Sequence, residues 1–163
     1  MLAQDGTRGR MHLRSDPVSI GSDAYDTGWC HCRVCQRASG SAGMVFTTVP
    51  KKSYTVVQGH DLICRFQSTS FGERTFCRNC GAPLTIHVDH QPDEIDIAVG
   101  SLDEPSAVKP GFHLFVEYMP AWMSLADNLP RYPGLRPNTR GLEPGQTDPV
   151  GGVARPRADT TRQ

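Results

Sequence analysis

Leu62-Ile63-Cys64-Arg65-Phe66-Gln67, Ser68-Thr69-Ser70-Phe71-Gly72 and Glu73-Arg74-Thr75-Phe76-Cys77 follow one another without a break. The outer two segments are short and rich in Ile, Phe and Thr. The middle one is a Ser/Gly turn, so the whole reads as a β-hairpin. The same grammar extends in both directions. Met44–Val49, Tyr54–Gln58, Leu84–Val88, Glu94–Val99 and Phe112–Tyr118 are further strand candidates. Lys51-Lys52-Ser53, Gln58–Asp61, Asp89–Asp93 and Pro120 punctuate them. Helical patterning is confined to Arg33–Ser39 and Ala121–Leu129. The pattern predicts an all-β fold of hairpins in two packed sheets.

Composition sets the limits of that domain. The chain has 163 residues, with 17 basic and 17 acidic side chains in balance. A length of this order fits one domain, and balanced charge gives no electrostatic reason to expect nucleic acid or an acidic membrane as partner. The longest apolar runs fall far short of the roughly 20 residues that span a bilayer. The first residues, with Gln4, Asp5, Arg8 and Arg10, lack the apolar core of a signal peptide, so a cytoplasmic location is expected. Residues 1–28 carry four Gly, three Arg and four Asp and read as an atypical or disordered segment. Residues 135–163 carry four Pro, four Gly and five Arg with no aromatic residue, and read as a disordered tail. The folded domain is expected over 29–134.

The chemistry concentrates in five of the six cysteines. Cys30-His31-Cys32-Arg33-Val34-Cys35 and Cys77-Arg78-Asn79-Cys80-Gly81 are two separate clusters. A two-residue gap lets Cys77 and Cys80 point at one ion, and Gly81 relieves the turn that follows. The denser run can place three thiolates about 2.3 Å from one ion and leave its fourth position open, as catalytic zinc requires. Arg33 and Arg37 are expected to favour the thiolate form. A Cys30–Cys32 disulfide would close a strained ring, and a redox pair at Cys32–Cys35 would want a βαβ setting that this pattern lacks. A purely structural zinc remains the competing reading. Cys64, beside Leu62, Ile63 and Phe66, reads as a buried small hydrophobe. His31 is expected to point away from the metal, His113 to be a structural histidine, and His87 and His90 to be solvated; Trp122 and Phe115 are expected in the core.

These clusters and their surroundings resemble the glutathione-dependent formaldehyde-activating enzyme family, whose relatives include centromere protein V. The resemblance rests on Cys30–Gly40, Arg74–Gly81, Gly100-Ser101-Leu102-Asp103-Glu104-Pro105, Pro110-Gly111-Phe112-His113, and Trp122 followed by Asp127-Asn128-Leu129-Pro130. It implies an Mss4-like β-tent with Zn2+ as cofactor, a catalytic zinc on Cys30, Cys32 and Cys35, and a structural zinc half-supplied by Cys77 and Cys80. It implies a carbon–sulfur lyase of the S-(hydroxymethyl)glutathione synthase type, with a small-molecule thiol and aldehyde as partners. Arg33 or Arg37 would then steer a glutathione carboxylate.

One departure stands out. The family's second cysteine pair, a C-x-C-G in an N-terminal hairpin, has no counterpart, because residues 1–29 contain no cysteine. Two thiolates are too few for a closed tetrahedral site. Either Cys77 and Cys80 borrow sulfurs from the first cluster, or they bind zinc weakly with His or water, or the structural site is damaged. A non-catalytic, zinc-stabilised binding module is the alternative function.

Overall fold

The computed structural model describes residues 24–56 and 59–137. Seven strands form one sheet: β1 (Tyr25–Cys30), β2 (Met44–Pro50), β3 (Ile63–Thr69), β4 (Gly72–Cys77), β5 (Pro83–Val88), β6 (Glu94–Ala98) and β7 (His113–Leu114). Their spatial order is β3-β4-β5-β6-β2-β1-β7. All pairings are antiparallel except β1 with β7. One helix, α1 (Arg33–Ser39), follows β1.

The all-β reading therefore holds, but the two packed sheets are a single sheet with a core on each face. Met44 and Phe46 of β2 join Cys32, Cys35, Ala98 and Phe115 in one core cluster. Val45 and Val49, the alternate residues of the same strand, join Ile95, Ile97, Val99 and Leu102 in the other. Period-two alternation sends successive side chains to opposite faces. A strand buried on both sides thus reads as a continuous apolar run.

Three predicted elements are absent or shorter. Tyr54–Val56 form no strand; Tyr54 packs half-buried against the second core, and Val57 and Gln58 lie outside the described residues. Phe112–Tyr118 shrinks to the two residues of β7, because Phe115 takes a left-handed backbone (φ 58°) that breaks extended geometry and opens a 3₁₀ turn over Val116–Tyr118. Ala121–Leu129 is not helical. Its turn is held instead by Met123 N–H donating to Pro120 O and by the Arg131 guanidinium donating to the carbonyls of Leu125 and Asp127. Trp122, expected in the core, is 78% exposed, whereas Phe115 is buried.

The sheet also begins before the expected boundary at residue 29. Tyr25–Gly28 belong to β1. At the other end, the stretch 130–134 lies along β7, with hydrogen bonds from His113 N to Pro130 O, Tyr132 N to His113 O and Phe115 N to Gly134 O. This covers the edge strand's backbone groups. Residues 1–23 and 138–163 of the two flanking segments lie outside the described residues.

Candidate metal centre and its cavity

Three cysteines meet where β1 ends and α1 begins. Cys30 is the last residue of β1, Cys32 is the N-cap of α1, and Cys35 sits one turn inside it. The Cys35 N–H donates to Cys32 Sγ at 3.4 Å, so the cap of the helix is itself one of the sulfurs. Gly40 closes the helix in the left-handed region (φ 65°), donating to Gln36 O. Buried Gln36 ties the element down from inside, with Nε2 donating to His31 O at 2.7 Å and Tyr118 O at 2.8 Å.

The three sulfurs lie within 4.8 Å of one another. Ligands about 2.3 Å from a tetrahedral ion stand about 3.8 Å apart, so the cluster fits a zinc-sized thiophilic cation. Cys32 and Cys35 are buried and Cys30 is half-buried. Shared protons divide the trio. The Cys32 thiol is lowered to about 3, first because Cys30 and Cys35 donate to it. Cys35 is raised to about 12: its contact with Cys30 lowers it, but donating to Cys32 and burial outweigh that. Cys30 is raised too, as donor to both other sulfurs. One thiolate held by two thiols is a cluster that must release protons to take up a metal.

The cation at these sulfurs is not the expected one. Arg33 and Arg37 are exposed on α1, and Arg33 bonds Gln36. Arg74, from the inward face of β4, reaches the cluster instead: Nη2 donates to Cys35 Sγ at 3.3 Å, and Nη1 lies 4.0 Å from Met44 Sδ. Its guanidinium carbon is 5.7 Å from the Phe46 ring centre. The legible signal was an arginine at an inward position of a strand, three residues before Cys77.

The cluster opens onto a cavity of about 140 Å³, lined by Cys30, Cys32 and Cys35. Phe46, Ile86, Val88 and Leu114 supply apolar wall, and Arg74 and Asp96 supply polar wall. His90, expected in solvent, lines it as well, as do Leu135 and Arg136 from beyond the expected domain end. Arg136 is bonded to Asp26, with its guanidinium over the Phe112 ring.

Asp96 accepts from the Thr48 hydroxyl at 2.6 Å. Burial raises its carboxyl to about 6; the Thr48 bond and Arg74 oppose that, while Glu94 and Asp26 add to it. The folded state therefore holds this proton more tightly than the unfolded chain, and stability falls as pH rises from about 4 to about 6. Asp96→Asn is expected to remove that loss and to stabilise the protein at pH 7, by no more than about 2 kcal/mol once solvent screening at this half-buried group is discounted. Urea unfolding at pH 4 and pH 7 checks it; equal pH dependence in both proteins would refute it.

Behind the cysteines runs a histidine relay. His31 and His113 are fully buried. His31 Nδ1 lies 3.0 Å from Ala42 O, His31 Nε2 3.0 Å from His113 Nδ1, and His113 Nε2 3.0 Å from Asp127 Oδ2. Three contacts need three N–H hydrogens on two rings, so the relay is complete when one imidazole is cationic. Asp127 supplies the counter-charge, and the His113 bond holds its carboxyl below the usual range. Trp29 stacks on both rings. His113 is thus hydrogen-bonded on both ring nitrogens, as a structural histidine would be, and His31 bonds to Ala42 and His113 rather than to the sulfurs.

Gly43 is part of the same packing: a Cβ there would come within 2.7 Å of His31 Nδ1 and 3.1 Å of Cys30 O. Since His31 has nowhere to move, Gly43→Ala is expected to cost about 1–3 kcal/mol, read from the urea midpoint.

Cys77 and Cys80 form a separate pair. Cys77 is buried and Cys80 exposed. Gly81 (φ 73°) closes the turn, donating to Cys77 O. The N–H groups of Cys80 and Asn79 lower the Cys77 thiol. Among the described residues, Cys30, Cys32 and Cys35 form the one group of three or more ligating side chains, and Cys77 and Cys80 stand apart from it. Cys64, expected to be buried, is half-buried on β3.

A protein named an uncharacterized lyase from Schizosaccharomyces pombe is 38% identical to this chain over 55 residues, 34% of this chain and 38% of that protein. The chain thus matches less than half the length of that relative. A solved Rhodobacter sphaeroides protein, determined as a structural genomics target, aligns with a TM-score of 0.43 at 24% identity, over 52% of this chain and 72% of that one. The family model described as glutathione-dependent formaldehyde-activating enzyme matches residues 17–118. That span takes in both cysteine clusters and all seven strands in full, and the chain belongs to the glutathione-dependent formaldehyde-activating enzyme family.

Proposed function

We propose that this protein is a zinc-dependent carbon–sulfur lyase that joins a small thiol to a small aldehyde, or separates them. The observation that supports it is the convergence of three cysteine sulfurs on the wall of a cavity. A metal meant only to staple a fold is normally closed by four protein ligands, whereas three ligands beside a void leave a position for substrate. Cys30, Cys32 and Cys35 would hold the zinc, which supplies Lewis-acid activation when bound.

In the joining direction, the thiol sulfur bonds to the carbonyl carbon, the C=O π bond opens, and the thiol proton ends on the resulting oxygen. Cleavage reverses each change, and no redox partner is needed. The protein's own part is positional. The cavity brings two reactants together, converting a bimolecular encounter into a local one. Glutathione and formaldehyde are the pair suggested by the family, with S-hydroxymethylglutathione as product. No helix among the described residues is long and apolar enough to cross a membrane.

The test is turnover by the zinc-loaded full chain with glutathione and formaldehyde, followed by NMR exchange between free and bound aldehyde. Acceleration over the spontaneous reaction that disappears on chelation is expected. Identical exchange with and without protein would overturn this assignment of substrates.

For the second pair, Cys77→Ala is expected to lower stability by about 1–2 kcal/mol through loss of a buried group that accepts two backbone N–H bonds, while sparing metal at the three-cysteine cluster. Zinc content per chain beside a urea midpoint separates the two effects.

A further inference from the structure

Three thiolates around a divalent cation carry one surplus negative charge, which weakens the ion as an electrophile. Something must offset that charge inside a site that is largely shut off from water. The exposed arginines of α1 do not reach it. Arg74 does, from a strand distant in the sheet order: β5, β6 and β2 separate β4 from β1.

Arg74 is 8% exposed, an unusual degree of burial for a group that is always charged. Among the described residues it makes no carboxylate ion pair within salt-bridge distance. Its polar contacts are to sulfur: Cys35 Sγ at 3.3 Å and Met44 Sδ at 4.0 Å. The guanidinium also lies over the Phe46 ring, and its Nε, buried beside the cavity, has no hydrogen-bond partner. A buried cation is tolerated only against a compensating charge. Asp96 acts on it across the cavity without an ion pair, and the group it hydrogen-bonds is the cysteine cluster.

We propose that Arg74 is a positioning residue for the metal centre: its guanidinium offsets the surplus charge of the three thiolates and fixes Cys35 in its ligating orientation through the Nη2–H···Sγ bond. The proposal rests on the reading of Cys30, Cys32 and Cys35 as metal ligands. Groups that hydrogen-bond to a ligand hold its orientation and tune the ion, and their loss typically lowers metal affinity about 10–100-fold. Donation to Cys35 also draws electron density from the sulfur and leaves the ion more electrophilic.

The test uses the full chain with Co2+ as an optical probe, in the wild-type protein and in Arg74→Gln, Arg74→Lys and Arg65→Gln. Arg65 lies exposed on β3, paired with Glu73, and serves as control. Wild type and the control are expected to show the same thiolate-to-cobalt charge-transfer band and the same affinity. Arg74→Gln keeps a donor but loses the charge; its affinity is expected to fall about 10–100-fold with a shifted band. Arg74→Lys keeps the charge but not the planar fork, so a few-fold loss with a shifted band is expected. Metal-free thermal unfolding of each variant separates these effects from loss of fold.

Wild-type affinity and an unshifted band in Arg74→Gln would overturn the proposal while leaving the metal centre intact. If Arg74→Gln does not fold, the same result in Arg74→Lys overturns it. Failure of wild type to give any thiolate band would instead defeat the metal centre, and the role of Arg74 with it.

Discussion

Cys32→Ser is expected to abolish metal retention at the three-sulfur cluster and to reduce thiol–aldehyde turnover at least about a thousandfold, to the spontaneous rate. Cys32 has the largest expected effect of the three because it has two jobs. It is the N-cap of α1, accepting the Cys35 N–H, and it is the sulfur on which both neighbouring thiols converge. Serine preserves a capping oxygen, so α1 should survive and the loss should fall on the metal. Two remaining cysteines cannot hold zinc tightly in competition with water and chelators. Zinc per chain after dialysis, circular dichroism and turnover distinguish the cases. A folded Cys32→Ser protein that keeps one tightly held zinc at this cluster, with activity, would remove the basis for the proposed function. Cys64→Ser, off the cluster, is the matched control and should keep both.

His113→Ala is expected to be the most damaging change to stability, costing about 3 kcal/mol or more. The substitution removes the middle of the relay. It strips His31 Nε2 of its partner in a fully buried position, and leaves a void beside Trp29. It also frees Asp127, whose loop depends on the His113 contact and on Arg131. Because Asp127 is depressed in the folded state, its contribution is present above the ordinary carboxylate pKa and is lost as pH falls through the lower folded value. Acid unfolding of the wild type should therefore become shallower in His113→Ala. Urea unfolding at pH 7 measures the main effect, and a loss below about 1 kcal/mol would show that the relay is not a stabilising unit.

Sequence spacing made much of the site legible. Cys30, Cys32 and Cys35 lie within six residues, so a strand end and one helical turn are enough to converge them, with little demand on the rest of the chain. The hairpin Ile63–Cys77 was legible for a similar reason, since its register follows from its own turn. His113 was given a structural role and His31 was turned away from the metal, but their pairing across 82 residues was not visible in the sequence. Trp122 and the stretch Ala121–Leu129 misled because apolar spacing alone cannot tell a buried helix from a turn held by backbone and Arg131 contacts.

What the linear sequence determined is local: where most of the strands lie, which cysteines are close enough to share an ion, and which family the chain resembles. What tertiary structure decided is everything that depends on strands folding over one another. It chose one sheet with two cores over two sheets, since alternation along Met44–Val49 is silent about what covers each face. It also selected Arg74 over Arg33 and Arg37 as the cation at the sulfurs. The physical reason is the same in both: a side chain's neighbours across a sheet are set by pairing between distant segments, and no periodicity within one segment encodes which segment will arrive.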